Sequence, residues 1–471
     1  MPRILSSLTL AAALAAATSA ASAADDDELR QLRAEIAALR QSYDARIAEL
    51  EARLQRAAPA GPAATAPSAA AREFAVAPAT PAPAAARAGA FNPEVSLILQ
   101  GQYRRMKDID ERAITGFVAS GDEHEDEGEG PQRGFSLDHT ELVLAANIDT
   151  HFRGLANFAL IDGEVEVEEA WFQTTGLGHG LGVKAGRFLS GIGYANEQHP
   201  HQWDFADPAL MYTALFGEHG NYGNDGLQFR WVAPTTTFVE LGAEIGRGAS
   251  FPGTDRNING IGSHALFAHV GGDVGTSHSW RAGLSWLATR ARDRESHFED
   301  VATPLDEVPG NFRGTSRTWL ADMVWKWAPD GNPTRTNLTL QAEYFQRRER
   351  GDLTCAADDP ADCGALVDSL YRTRQSGWYA QSVYQFMPRW RAGVRYDRLD
   401  SGQIDYGANN ANLAIADHRP SRTSLMLDYN PSEFSRVRLQ FARDKAMQGI
   451  TDDQVWLQYV MSLGAHGAHS F

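Results

Sequence analysis

"QVWLQYVMSLGAHGAHSF", Gln454 to Phe471, holds the reading of the fold. Val455, Leu457, Tyr459, Met461, Leu463 and Ala465 stand on one face of an extended chain, and Trp456, Gln458, Val460, Ser462 and Gly464 on the other. A period of two is the signature of a β-strand with unlike faces. Here the greasy face is continuous and the other is mixed. The stretch then runs through His466 and His469 to a bare phenylalanine. A strand of this kind needs something apolar on one side and something wet on the other.

The same alternation recurs from Glu94 onward. Val95, Leu97, Leu99, Gly101 and Tyr103 alternate with Ser96, Gln100, Gln102 and Arg104. Trp319, Ala321, Met323, Trp325 and Trp327 alternate with Thr318, Asp322 and Lys326. Reading the chain in this way places strands near 94–106, 134–149, 155–161, 164–175, 182–190, 226–233, 236–246, 263–271, 279–290, 315–328, 335–347, 376–387, 390–399, 421–430, 435–444 and 454–465. That is sixteen, an even number. Their connections fall into two sets. One is short, as at 149–154, 176–181, 233–235, 387–389 and 430–434; the other is mostly long, as at 107–133, 191–225, 247–262, 291–314, 348–375 and 400–420.

A soluble β-sandwich fits this poorly. Its inner face is mostly aliphatic, whereas here Tyr103, Trp280, Trp327, Trp378, Trp390, Tyr396 and Tyr429 sit at the ends of the apolar faces. Long loops at one end only, with aromatic girdles, are the pattern of an all-β transmembrane barrel of sixteen antiparallel strands in a bacterial outer membrane. The closing strand from Val455 must then pair with the first, so that no edge faces lipid. A terminal aromatic such as Phe471 resembles the signal that outer-membrane proteins present to their insertion machinery.

Ahead of the barrel at 94–471 the sequence predicts three segments. Residues 1–23 read as a signal peptide, with Arg3, a modest apolar run and the small residues Ala21-Ser22-Ala23; a helical inner-membrane anchor is the alternative. Residues 24–56 carry Leu29, Leu32, Ile36, Leu39 and Tyr43 at spacings of 3 and 4, then Ile47, Leu50 and Leu54 after a stutter. So narrow a stripe predicts a coiled-coil helix that self-associates in the periplasm. The Ala/Pro-rich stretch 57–93 reads as an extended linker. A net charge of −17 argues against nucleic acid as a partner. Cys355 and Cys363 in an exported chain are expected to form one small disulfide loop, with two idle thiols as the alternative.

With apolar residues toward lipid, Arg230, Arg281, Arg391, Arg395, Arg422, Arg436 and Arg438 are expected to line the pore. Those from Arg391 onward concentrate on adjacent strands. They either set a transverse field that biases ion selectivity or pair with Asp397, Asp428 and Asp444 to brace the wall. The connection 191–225 carries too many apolar residues for a free surface loop. It is expected to fold inward as a constriction holding Trp203, Asp204, Phe205, Asp207 and Tyr212, with a lid over the outer mouth as the rival. Its "DPALMYTALF" reads as a short helix capped by Asp207. His199 and His201, like His124, His466 and His469, lack the spacing of a closed metal site and are read as solvated loop residues, so no metal site is assigned. No catalytic constellation and no cofactor motif emerge, and no enzymatic role is expected.

The segment 168–197 resembles the phosphate-selective porins of the O and P type, through Glu169, Ala170, Trp171 and Phe172 on one strand and Gly186, Arg187 and Phe188 on the next. The resemblance implies a sixteen-stranded trimeric porin embedded in the outer membrane of a Gram-negative cell. Family members select phosphate with dense basic residues on inward loops, whereas the stretch 191–225 here has neither Arg nor Lys. The expected function is passive diffusion of small solutes through a water-filled channel, with a preference for anions. A specific channel or receptor for a metal ion or siderophore, and a non-conducting envelope-tethering or adhesive barrel, are the alternatives.

Overall fold

The computed structural model describes residues 94–464, apart from 110–111, 118–131, 138, 162–163, 218–219, 258, 304 and 306. The expected signal peptide, coiled coil and linker, the terminal Phe471, and His124, His466 and His469 lie outside the described residues.

Among the described residues, seventeen strands form one antiparallel sheet that closes on itself. In chain order they are β1 (Glu94–Arg105), β2 (Gly134–Leu137), β3 (Thr140–Asn147), β4 (Phe152–Ile161), β5 (Glu164–Thr174), β6 (Leu181–Leu189), β7 (Gly223–Val232), β8 (Phe238–Gly246), β9 (Ser263–Val274), β10 (His278–Glu299), β11 (Glu307–Trp327), β12 (Asn337–Cys355), β13 (Ser369–Met387), β14 (Trp390–Asp405), β15 (Ser421–Ser432), β16 (Ser435–Lys445) and β17 (Asp452–Gly464). Both β2 and β3 pair with β1, one along each half of it, so they are two parts of a single stave. The barrel therefore has sixteen staves, each at a place where alternation predicts one. β17 closes it against β1, with Leu99 opposite Met461 and Gln102 opposite Gln458.

Parity along each strand separates the two faces. Leu284, Met323, Leu425, Leu439 and Leu457 point outward and are exposed, whereas Gln100, Gln228, Glu343, Arg395 and Arg438 point inward and are buried. Trp319 and Trp327 mark the edges of the outer apolar band on β11. They are about 27 Å apart along the strand, or about 20 Å once the strand is tilted, close to the height of such a band. Trp390 and Tyr429 pack at 4.7 Å on the rim with the short turns, and Trp378 and Tyr396 at 5.6 Å toward the other rim.

The long connections are shorter than the sequence reading has them. β10 to β14 run on well past the apolar band, so that strand takes up most of 291–314, about half of 348–375 and the start of 400–420 as far as Asp405. The reason is an inversion of polarity. Above the band on β10 the outward residues are Arg292, Glu295, His297 and Glu299, and the inward ones include Ala291 and Phe298. Charged outward faces suit water, but they hide the alternation that a lipid-facing strand displays. Inside this raised wall Phe298, Val308, Phe312, Leu353, Tyr371, Tyr406 and Leu413 form an apolar cluster, and burial pushes the Tyr406 phenol up to about 12. Cys355 and Cys363 are disulfide-bonded at its edge, with Cα atoms 5.8 Å apart.

Candidate functional site: the bore and its inward segment

The chain between β6 and β7, residues 190–222, does not form a lid. It enters the barrel and is held by strands around most of the bore. Its two ends are pinned together by Asn196, whose Nδ2 donates to Ser190 O (2.7 Å) and Tyr222 O (3.1 Å) and whose Oδ1 accepts from Tyr222 N (2.7 Å). Glu244 on β8 accepts from Ser190 Oγ (2.6 Å) and Gly191 N (2.9 Å). Across the bore, Glu343 on β12 accepts from Tyr194 N (3.0 Å), Ala195 N (3.1 Å), Tyr212 Oη (2.7 Å) and Tyr379 Oη (2.5 Å). Strands that close into a cylinder can supply such converging partners because every second residue faces the axis.

A short helix, α1 (Leu210–Phe216), sits in this segment. Asp207 is not its cap. Leu210 N donates instead to Asp397 Oδ1 of the wall at 2.9 Å. Asp207 faces the arginines, at 3.0 Å from Arg395 Nη2 and 2.9 Å from Arg422 Nη1. The wall took over the cap because two guanidiniums compete for the aspartate more strongly than one backbone N–H does.

Arg391, Arg395, Arg422, Arg436 and Arg438 on β14 to β16 stand close together, and each has at least one partner. Arg391 pairs with Asp204 (3.1 Å) and Asp428 (2.7 Å), and Arg395 also pairs with Asp397 (3.1 Å). Arg438 pairs with Asp428 at 2.8 Å. Arg436 donates to His201 O (2.9 Å), Arg438 to Trp203 O (3.0 Å), and Arg422 to Pro208 O (2.5 Å). Phe205 lies under the Arg395 guanidinium, 4.7 Å from it. Of the two readings of this wall, these pairs match the bracing one, and the same arginines also dock the inward segment.

The remaining arginines lie apart. Arg230 on β7 pairs with Glu197 and Glu240 and covers Phe267 at 5.2 Å. Arg281 on β10 covers Tyr194 at 5.3 Å. Between the segment and β12 to β14 remains a narrow cleft lined by Trp203, Asp204, Phe205, Asp207, Tyr212, Gln381 and Arg395.

His199 and His201 are not solvated. His201 is 1% exposed, and its Nδ1 stands 2.7 Å from Glu141 Oε1 of β3. His199 Nε2 stands 3.0 Å from Glu169 Oε2 of β5. These two strands are irregular where they meet the segment. His139 occupies the break between β2 and β3. On β5, Asn157 of β4 faces Glu169 while Phe158 faces Val167, so Glu168 is the extra residue of a bulge. That bulge lets both Glu168 and Glu169 approach the bore, which strict alternation forbids. Residue spacing alone could not reveal this cluster; the run "VEVEEAW", with adjacent acids breaking an apolar alternation, was the available signal.

The segment of the family resemblance is placed as two paired strands, with Trp171 opposite Gly186 and Ala170 opposite Arg187. Gly186 has φ +127°, and a Cβ there would stand 2.2 Å from Ala170 O. Only glycine fits so close an approach.

Several solved structures are similar to this one at low sequence identity. OmpT, an outer-membrane protein of Vibrio cholerae, matches with a TM-score of 0.47 and 9% identity over 79% of this chain and 98% of that one. The outer-membrane channel DcaP of Acinetobacter baumannii matches at 0.45 and 12%, over 79% and 97%. The anion-selective porin from Comamonas acidovorans matches at 0.45 and 9%, over 79% and 100%. At scores this low, the architecture rests on the chain's own strand pairing. No protein-family model matches the sequence. A protein of Aquifex aeolicus (strain VF5), described as "Uncharacterized protein", is 31% identical over 402 residues, which is 81% of this chain and 80% of that one. At that identity and coverage, the chain belongs to the same family as the Aquifex aeolicus protein.

Proposed function

We propose that the chain is an outer-membrane porin that lets small polar solutes diffuse passively, and that the cleft beside the inward segment is the narrowest part of their route. One observation carries this reading: a lipid-ready cylinder encloses a bore of Gln, Glu, Asp and Arg, narrowed by its own chain at mid-height. A barrel built only to tether would gain nothing from so many buried charges, each costly unless paired.

Strong selectivity for phosphate or other anions finds little support in the charges. The five arginines of β14 to β16 face Asp204, Asp207, Asp397, Asp428 and Asp444, together with backbone carbonyls. Other strands of the wall add Glu141, Glu169, Glu244 and Glu343. Guanidiniums so compensated offer little free positive field to a passing anion. The alternative of a dedicated siderophore receptor draws no support from a cleft this small.

The expected assembly is a homotrimer in the outer membrane, with the amino-terminal coiled coil in the periplasm. The low side of the barrel supports this: the strands β2 to β8 are short, and Phe135, Leu137, Val165 and Phe172 stand exposed there, Phe135 at 87%. Single-channel recording of the purified protein in planar bilayers tests the function. Ohmic steps with a reversal potential near zero in a salt gradient are expected. A protein that inserts and folds yet passes no current would overturn the reading.

A further inference from the structure

Six side chains meet at the seam between the inward segment and the wall: His139, Glu141, Glu168, Glu169, His199 and His201. His139 Nε2 stands 2.7 Å from Glu168 Oε1 and 3.8 Å from Glu141 Oε1. His199 Nδ1 stands 3.3 Å from Glu168 Oε2 and 3.7 Å from Glu141 Oε2. The donor atoms of His139, Glu141 and Glu168 all lie within 4.8 Å of one another. Asn157 completes the floor, its Nδ2 donating to Glu141 (2.8 Å) and Glu168 (3.0 Å). This is the arrangement by which a second layer orients ligating carboxylates.

Two features set this cluster apart from the arginine wall. First, among the described residues the ion pairs of Glu141 and Glu168 are with histidines. Buried carboxylates need a cation, and here imidazole stands in the place that guanidinium takes on the arginine wall. Second, His139 is 7% exposed and its Nε2 makes no hydrogen bond, although a carboxylate oxygen is 2.7 Å away. At that distance only a poor angle prevents one. The Nε2 therefore faces the Glu168 and Glu141 oxygens without a hydrogen bond to either. Asn157 Oδ1, in a residue 1% exposed, is likewise left without a hydrogen bond.

We propose that His139, Glu141 and Glu168, joined by His199 from the inward segment, bind one divalent first-row transition-metal ion. Imidazole with carboxylate favours zinc, iron or manganese over calcium and magnesium, which take oxygen ligands almost alone. Ligands around such an ion sit about 2.0–2.2 Å from it, so the present spacings close to a coordination shell with small side-chain movements. The ion would bridge β3 and β5 to the segment and fasten it at a second place, beside the arginines. The inference stands on this geometry and not on the channel reading.

The test uses the whole protein in detergent, stripped with a chelator and titrated with Zn²⁺ alone, with Co²⁺ as a spectroscopic probe. Binding of roughly one equivalent per chain is expected, with cobalt absorption typical of nitrogen and oxygen ligands. Glu168→Gln and His139→Ala should each weaken binding by about a hundredfold or more. His466→Ala/His469→Ala should leave it unchanged. Glu168→Gln is nearly isosteric, and its strand content by circular dichroism reports that the barrel still folds. No stoichiometric binding by the unaltered protein, or binding that survives in folded Glu168→Gln, overturns the proposal.

Discussion

Replacing Glu343 by leucine should release the inward segment. The Glu343 side chain is 2% exposed and accepts from two backbone amides of the segment and from two phenols. Tyr379 belongs to the wall, so three of these bonds hold the segment; at about 1.5 kcal/mol net for each hydrogen bond to a charged acceptor they amount to about 4.5 kcal/mol. Water reaches part of the bore and can satisfy some of the freed donors, which roughly halves the loss, to about 2 kcal/mol. That is a factor of about thirty in the equilibrium between docked and released segment. The segment has no Lys or Arg but offers Trp203, Phe205, Tyr212 and Phe216 to chymotrypsin. Cleavage limited by opening should therefore quicken about thirtyfold, while single-channel conductance rises and becomes noisier. Glu343→Gln keeps one acceptor oxygen and should fall between. If cleavage and conductance in Glu343→Leu match the unaltered protein, Glu343 does not anchor the segment and the accounting above is wrong.

Three further outcomes are expected. Leu425→Arg, in the apolar band between Val394 and Phe441, should cost about 2–4 kcal/mol in urea titrations of the lipid-embedded barrel, whereas Glu295→Arg on the raised wall should shift stability by less than about 0.5 kcal/mol. Equal effects would refute the inversion of polarity between these levels. Alkylation of the denatured protein should label no thiol before reduction and both cysteines after it; labelling without reductant would contradict the Cys355–Cys363 bridge. Gly186→Ala should lower stability by at least about 2 kcal/mol in the same titrations, and an unaffected variant would mean that β5 and β6 do not approach so closely.

Much of the fold could be read from the sequence because a barrel in lipid exposes its pattern. Each of Val455, Leu457, Tyr459, Met461 and Leu463 must satisfy hydrocarbon, and each residue between them must face the bore. Where lipid ends, that discipline ends too. On β10 the alternation of Leu284, Trp286 and Ala288 gives way to Arg292, Glu295 and His297, and the strand looks like a loop although its pairing with β11 continues to Glu299. The inward course of the segment was legible from Phe205, Leu210, Met211 and Tyr212, which no surface loop would spend on water. Its partners were not legible. Arg422, Arg436 and Arg438 donate to the carbonyls of Pro208, His201 and Trp203, and a carbonyl belongs to every residue. The histidine cluster was hidden for another reason: a strand break at His139 and a bulge at Glu168 change which way side chains point, and period-two counting assumes that neither occurs.

Two kinds of contact hold the segment, and this has a consequence for motion. On the arginine side, planar forks grip aspartates and carbonyls at several heights, so releasing any one contact leaves the others in place. Elsewhere around the bore, Glu343 and Glu244 gather backbone amides, and Glu141, Glu168 and Glu169 gather imidazoles. A single carboxylate there carries several contacts, and its loss frees them together. The segment should therefore stay hinged on the arginines and come away first from these carboxylates. In the cleft lined by Tyr212, Gln381 and Arg395, Glu343 holds Tyr212 while Arg395 holds Asp207, so loss of Glu343 widens the cleft from the Tyr212 side. Release of the histidines would open a second gap beside β3 and β5.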